Sequence, residues 1–238
     1  MAKPKPQSSE VHPGPGFRIR RMVDRPDVAL VAAFADFETP DISDLMNRFY
    51  TISTQIRNVT AVPQLLGTAC TVKVYPGNNL MVHKALDIAR PGDVIVVDTS
   101  TGLSNNGIIG DTIATKARHR GIAGFVIDGL VRDIPGIRAV ELPVFAKGIT
   151  PQGPLHRGPG EINFPINCGG VVVHPGDIIL GDDNGIVVIP QDYAVELLDK
   201  LRARRAALQD YLAAVQRGDF SNAWVDAILT DGGCEYVD

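Results

Sequence analysis

The chain has 238 residues, 45% of them hydrophobic and 21% charged, with a formal net charge of −4, which suits a globular protein with one sizeable core. The acidic balance excludes the basic footprint that nucleic-acid binding needs, and the longest apolar run, residues 28–35, is too short to span a bilayer. Cys70, Cys168 and Cys234 are widely spaced with no CxxC pair, which excludes a disulfide scaffold or a zinc knuckle and points to three buried free thiols in a reducing cytoplasm.

Residues 1–20 are rich in Pro, Gly, Lys and Ser and read as a mobile tail, with Arg18, Arg20 and Arg21 as a solvated basic arm. Residues 28–34 read as a short strand or buried segment. Thr39-Pro40-Asp41 has the form of a helix start: a hydroxyl to cap, Pro at the first helical position and an acid in the first turn. Residues 66–75 alternate as a strand and stop at Pro76-Gly77. Asn78-Asn79 can then cap a helix whose Leu80, His83, Ala85, Leu86 and Ala89 recur near helical spacing. His83 reads as a core histidine with a satisfied hydrogen bond, a catalytic base being the sharper alternative. Residues 94–97 are apolar and β-branched throughout, which marks a strand buried on both faces.

Gly107 to Asp111 is small and flexible, and a helix-like run over residues 112–120 follows, closed by Gly121. A strand over residues 124–127 empties into Asp128-Gly129 and then Arg132-Asp133, with a short helix expected after it. Residues 142–146 read as a strand. Residues 147–170 are crowded with Gly and Pro and read as a loop long enough to need a reason, such as covering a site. Three short strands are expected over residues 171–173, 178–180 and 186–189. Asp182-Asp-Asn-Gly185 fits a hairpin turn better than a calcium loop. Residues 191–218 form one long helix with an apolar stripe, its Arg202, Arg204 and Arg205 facing solvent or a second subunit, and residues 220–238 can add a short helix around Trp224.

This order predicts one α/β domain of mixed sheet over residues 21–190, between the tail 1–20 and a helical arm 191–238. There is no GxGxxG or GxxxxGK[ST] phosphate loop, which removes a methyltransferase built on a nucleotide fold.

The chemistry concentrates where a strand ends and a helix begins, the place where open α/β units bind ligands. The helix start at Gly110-Asp111-Thr112-Ile113 offers backbone N–H groups to an anion. The strand end offers the Arg132 guanidinium and the Asp128 and Asp133 carboxylates. Together these groups can hold a carboxylate beside a divalent cation; on spacing alone, an ordinary turn and a surface ion pair fit equally well.

Further stretches carry a resemblance: Pro76-Gly-Asn-Asn, Pro91-Gly-Asp-Val-Ile-Val-Val-Asp98, Gly158-Pro-Gly-Glu161 and His174-Pro-Gly-Asp177 with the run to Pro190. With Asp111 and Arg132-Asp133, and over residues 41–190 in order, the sequence resembles the RraA-like family. That family includes the class II 4-hydroxy-4-methyl-2-oxoglutarate/4-carboxy-4-hydroxy-2-oxoadipate aldolases. The resemblance implies a layered α/β/β/α swivelling domain, assembled as a homotrimer or homohexamer with active sites between subunits. It also implies a lyase that acts on a small 2-oxo acid with Mg²⁺ or Mn²⁺. Arg132 would contact the keto oxygen and stabilise an enolate, Asp133 would bind the metal, and Asp111 would hold a metal-bound water. Gly110, Thr112 and Ile113 would receive the substrate carboxylate. The alternative that the family offers is a non-catalytic protein that binds and regulates an RNA-degrading enzyme.

The sequence departs from the family pattern in three places. Position 136 is Gly where an acid often follows Arg-Asp, position 78 is Asn where Asp is common, and no acid stands at 205–208 in the terminal helix where the aldolases carry a Glu. Proton transfer to an aldol's departing hydroxyl then lacks its usual base. The expectation is decarboxylation of oxaloacetate with weak aldol cleavage, and Glu161 is the first replacement to suspect.

Overall fold

A computed structural model describes residues 10–100, 104–235 and 237; residues 1–9 of the expected tail lie outside them. The chain divides into two compact units, residues 1–198 and 199–238.

In the first unit the elements are, in order, β1 (Phe17–Ile19), α1 (Val28–Ala32), α2 (Thr39–Leu45), β2 (Arg57–Asn58), β3 (Leu65–Val74), α3 (Leu80–Ile88), β4 (Asp93–Asp98), α4 (Asp111–His119), β5 (Gly124–Val131), α5 (Ile134–Ala139), β6 (Val144–Ile149), β7 (Gly160–Ile162), β8 (Ile166–Cys168), β9 (Val171–Val173), β10 (Ile178–Asp182) and β11 (Gly185–Ile189). A helix, α6 (Ala194–Gln216), runs across the division, and α7 (Ala223–Asp231) lies in the second unit.

Nine strands form one mixed sheet in the order β1-β7-β3-β4-β5-β6-β2, with the β10–β11 hairpin joined to β3. The ten-residue β3 is the axis. One edge pairs in parallel with β4, while the other is shared between β10, opposite residues 65–68, and β7, opposite residues 72–74. Strands β3 to β6 are parallel neighbours, which is why β4 is buried along its whole length. Its alternate residues feed two cores. Ile95 and Val97 join Phe125, Ile127, Val82 and Ile113 under α3 and α4. Val94 and Val96 join Val126, Phe145, Ile166 and Val173 under the β8–β9 ribbon. Each such side chain is worth about 1.5–3 kcal/mol when fully buried. A helical layer, a large mixed sheet and a small ribbon thus stack around two apolar seams, the mixed α/β class that the sequence predicts.

One row of charges crosses this sheet. Arg18 pairs with Glu161 at 2.6 Å, Glu161 sits opposite Lys73, and Lys73 reaches Asp98 at 3.6 Å. Asp98 is the register partner of Asp128, which pairs with Lys147. The two adjacent carboxylates are nearly buried, and a lysine on each outer side offsets their repulsion.

The structure corrects several expectations. Residues 28–34 are not a strand: Asp27 caps the Ala29 N–H at 2.7 Å and starts α1, none of whose residues is buried. Thr39 does not cap α2, since its N–H and hydroxyl both go to Asp182, at 2.8 and 2.7 Å; the helix begins at Thr39 itself with Pro40 in its first turn. Residues 147–170 are not all loop. Lys147 continues β6, and β7 and β8 lie inside the stretch because β3 and β9 pair with them. Arg18 and Arg20 are not a free arm, for both guanidinium groups stand over the Phe164 ring, at 3.9 and 4.5 Å. Cys234 is exposed, whereas burial pushes the Cys70 thiol up to about 12 and that of Cys168 up as well, leaving both as inert thiols. The Asp182–Gly185 turn closes the β10–β11 hairpin as expected, with Asn184 N–H on Asp182. Among the described residues no helix is long and apolar enough to cross a membrane.

Candidate active site

The segment before α4 runs alongside the end of β5. Gly107 bridges Leu130 in parallel, the Ile108 N–H donates to Leu130 O at 2.8 Å, and the Arg132 N–H donates to Ile109 O at 3.0 Å. These backbone bonds bring Gly110 and Asp111 beside Arg132 and Asp133, about two dozen positions apart in sequence. A cavity of about 190 Å³ lies there, lined by Gly110, Asp111, Thr112, Ile113, Arg132 and Asp133, with Asn79, His83, Ile108, Pro154 and His156 completing it. The six residues to which the family resemblance gives a role therefore meet at one place, whereas Asp128, the other strand-end carboxylate expected there, is not in the lining and pairs with Lys147 instead. A larger open depression of about 820 Å³, around Arg25, Tyr50, His174 and Gln191, shares none of these residues.

Asp133 is the N-cap of α5, yet its carboxylate makes no capping bond, and its backbone is left-handed at φ 55° and ψ 39°. A non-glycine residue in that region carries some strain, and where it occurs it is often at a functional position. The carboxylate instead meets the Arg132 Nε at 3.2 Å. Space for it depends on Gly110, where a Cβ would run into Asp133 Oδ2.

Asp111 is the first residue of α4, and its Oδ1 accepts the Thr112 N–H at 2.6 Å. The anion position at this helix start is thus filled by the residue's own carboxylate. Gly136 explains one departure from the family pattern: a Cβ there would stand 2.5 Å from Asp111 Cβ. The α4–α5 contact is too close for an acid at 136.

The other wall was less legible. Asn79 looked like a helix cap, but its side chain makes no capping bond. Its Nδ2 donates to Ile108 O at 3.0 Å, and its Oδ1 meets His156 Nδ1 at 2.8 Å. His156 stands edge-on to His83, ring centroids 5.2 Å apart. Burial first, then His156 and Lys116, hold the His83 pKa below its ordinary value, so it is neutral at pH 7 on the cavity wall. The His83 spacing signal was visible in sequence; nothing local marked His156. Glu161 is elsewhere, on β7, where the Gly16 N–H and Arg18 outweigh the upward push of burial and hold its pKa low.

The donor set can be tested for a cation. Among the described residues no three His, Cys, Asp or Glu side chains gather to enclose a metal, so a closed zinc-type site does not fit. Asp133 and Asp111 do fit a hard cation such as Mg²⁺, which is commonly held by one or two carboxylates and completed by water and substrate oxygens.

Comparison with known proteins agrees with this architecture. The profile of the RraA-like family, described as Aldolase/RraA, matches residues 39–188. A protein of Halalkalibacterium halodurans named "Putative 4-hydroxy-4-methyl-2-oxoglutarate aldolase" is 38% identical over 197 residues, 80% of this chain and 93% of the relative. The crystal structure of Streptomyces coelicolor RraAS2, described as an unusual member of the RNase ES inhibitor RraA protein family, superposes with a TM-score of 0.72 at 26% identity, over 80% of this chain and 98% of that one. The RNA-processing inhibitor RraA of Thermus thermophilis superposes with a TM-score of 0.60 at 30% identity, over 65% and 93%. With the family profile spanning most of the chain and a relative this similar along nearly its whole length, the chain belongs to the RraA-like family.

Proposed function

We propose that this chain is a divalent-metal-dependent carbon–carbon lyase that releases pyruvate from small 2-oxo acids, by decarboxylation of oxaloacetate, by aldol cleavage, or both. The observation that carries this reading is the meeting of Asp111, Arg132 and the uncapping Asp133 around one small cavity. The aldolase name carried by the Halalkalibacterium halodurans relative supports it. A cavity of about 190 Å³ suits a short acid and is smaller than a pocket for a drug-sized ligand.

Both reactions leave charge on a pyruvate enolate. Asp133 would hold Mg²⁺ or Mn²⁺, with Asp111 nearby. The chemistry supplied when that ion is bound is Lewis-acid polarisation of the keto oxygen. The planar fork of Arg132 donates to the same oxygen and stabilises the enolate as it forms. The start of α4 receives the substrate carboxylate, at the N–H groups of Thr112 and Ile113. For this, Asp111 would have to release the Thr112 N–H, and it would then hold a water able to carry a proton. The homotrimer or homohexamer belongs to the same proposal, and light scattering of active protein checks it; a monomeric mass would defeat it.

The test is pyruvate release from oxaloacetate and from 4-hydroxy-4-methyl-2-oxoglutarate, with Mn²⁺ and after chelation. Metal-dependent release from either substrate is the expected result. Release from neither would favour the second reading, a non-catalytic regulator of an RNA-degrading enzyme, which the likeness to the two RraA structures keeps in view.

A further inference from the structure

Ile108 O can only accept a hydrogen bond, so the Asn79 amide must turn Nδ2 toward it and Oδ1 toward His156. Asn79 is 2% exposed, and these two partners take up both ends of its amide. The proton of a neutral His156 is then fixed on Nδ1, leaving Nε2 as the ring's acceptor. His156 is carried by a segment clamped at both ends of this contact: the Leu155 N–H donates to Gly77 O at 2.8 Å, and the Asn79 N–H donates to Leu155 O at 3.1 Å. His83 meets the ring edge-on. His156, its tautomer defined, therefore lines the same cavity as Arg132 and Asp133, and none of the roles given above to the pyruvate end of the site falls to it.

Resting on the lyase reading above, we propose that His156 is the acid–base residue for the part of the substrate beyond the pyruvate moiety, and that Asn79 is its positioning residue. The substrate class is a 4-hydroxy-2-oxo acid. In aldol cleavage, the C4 hydroxyl gives its proton to His156 Nε2 and C4 becomes a carbonyl. The C3–C4 bond breaks, and its electron pair becomes the C2–C3 double bond of the enolate beside Arg132. A proton delivered to C3 through the water at Asp111 completes pyruvate, and His156 Nε2 passes the hydroxyl proton to solvent, so the residue ends as it began. Decarboxylation of oxaloacetate has no hydroxyl proton to remove. The missing acid at 205–208 thus does not leave this chain without a base, and the sequence-based expectation of weak aldol cleavage is replaced by one of competent cleavage.

The experiment measures both activities on the same preparations of wild-type protein and of His156→Gln. A positioned general base contributes about 10²–10⁴-fold, so the ratio of aldol to decarboxylase turnover should fall by on the order of 100-fold. Asn79→Ala should lower the same ratio. An unchanged ratio in His156→Gln, with wild type active on both substrates, overturns this inference and leaves the lyase reading intact. Wild-type inactivity on both substrates overturns both. Should the variant fail to fold, ¹⁵N chemical shifts of the wild-type imidazoles decide: the Nδ1–H tautomer is expected at His156, and an Nε2–H tautomer would overturn the assignment.

Discussion

Arg132→Lys is expected to lower pyruvate release by about 10²- to 10³-fold, the usual loss when a donor to developing negative charge is removed. The charge survives this substitution and the geometry does not. The Arg132 Nε faces Asp133 at 3.2 Å, and Gly153 approaches so closely that a Cβ there would stand 2.5 Å from Nη1. The guanidinium plane is therefore oriented by its neighbours, and a flexible ammonium offers no equivalent pair of donors. Because the side chain is only partly buried, the fold should tolerate the change. Turnover with each substrate, measured on protein of unchanged melting temperature, is the check; wild-type activity would make Arg132 a surface residue.

Asp133→Asn should be as damaging, by about 10²- to 10³-fold, since a Lewis acid is worth several kcal/mol and each ~1.4 kcal/mol is tenfold. Asparagine suits this test for a structural reason. It tolerates the left-handed backbone that Asp133 adopts at φ 55° better than almost any residue except glycine. Loss of activity would then report the lost carboxylate charge rather than a broken turn.

How far the sequence foretold this arrangement follows from where each signal is encoded. Strand β4 was legible because burial on both faces leaves an unbroken β-branched run. The hairpin of β10 and β11 was legible because its turn residues declare themselves. Strands β7 and β8 were not: each is three residues long and exists through its pairing partners rather than through its own pattern. The run at 28–34 misled because its apolar composition suggests a strand, while the Asp27 cap starts a helical turn over 28–32 that buries none of its residues and only Phe34 of the run is buried. At the site, Asp111, Arg132 and Asp133 stood out as charges at a strand end and a helix start. The contact of Asn79 with His156 joins residues 77 positions apart, and the asparagine resembled an ordinary cap. Only the tertiary fold puts that pair on the cavity wall.

In the proposed lyase, Asp133 and Arg132 together hold an enolate of a small 2-oxo acid in a cation-dependent way. Oxalate, a planar dianion with the shape of pyruvate enolate, tests it without turnover. It would be titrated calorimetrically into wild-type protein and into Asp133→Asn, with Mn²⁺ and after chelation. The expected result is binding to the wild type with Mn²⁺ that is lost on chelation and lost in Asp133→Asn. Equal binding without the cation, or undiminished binding to Asp133→Asn, would contradict it.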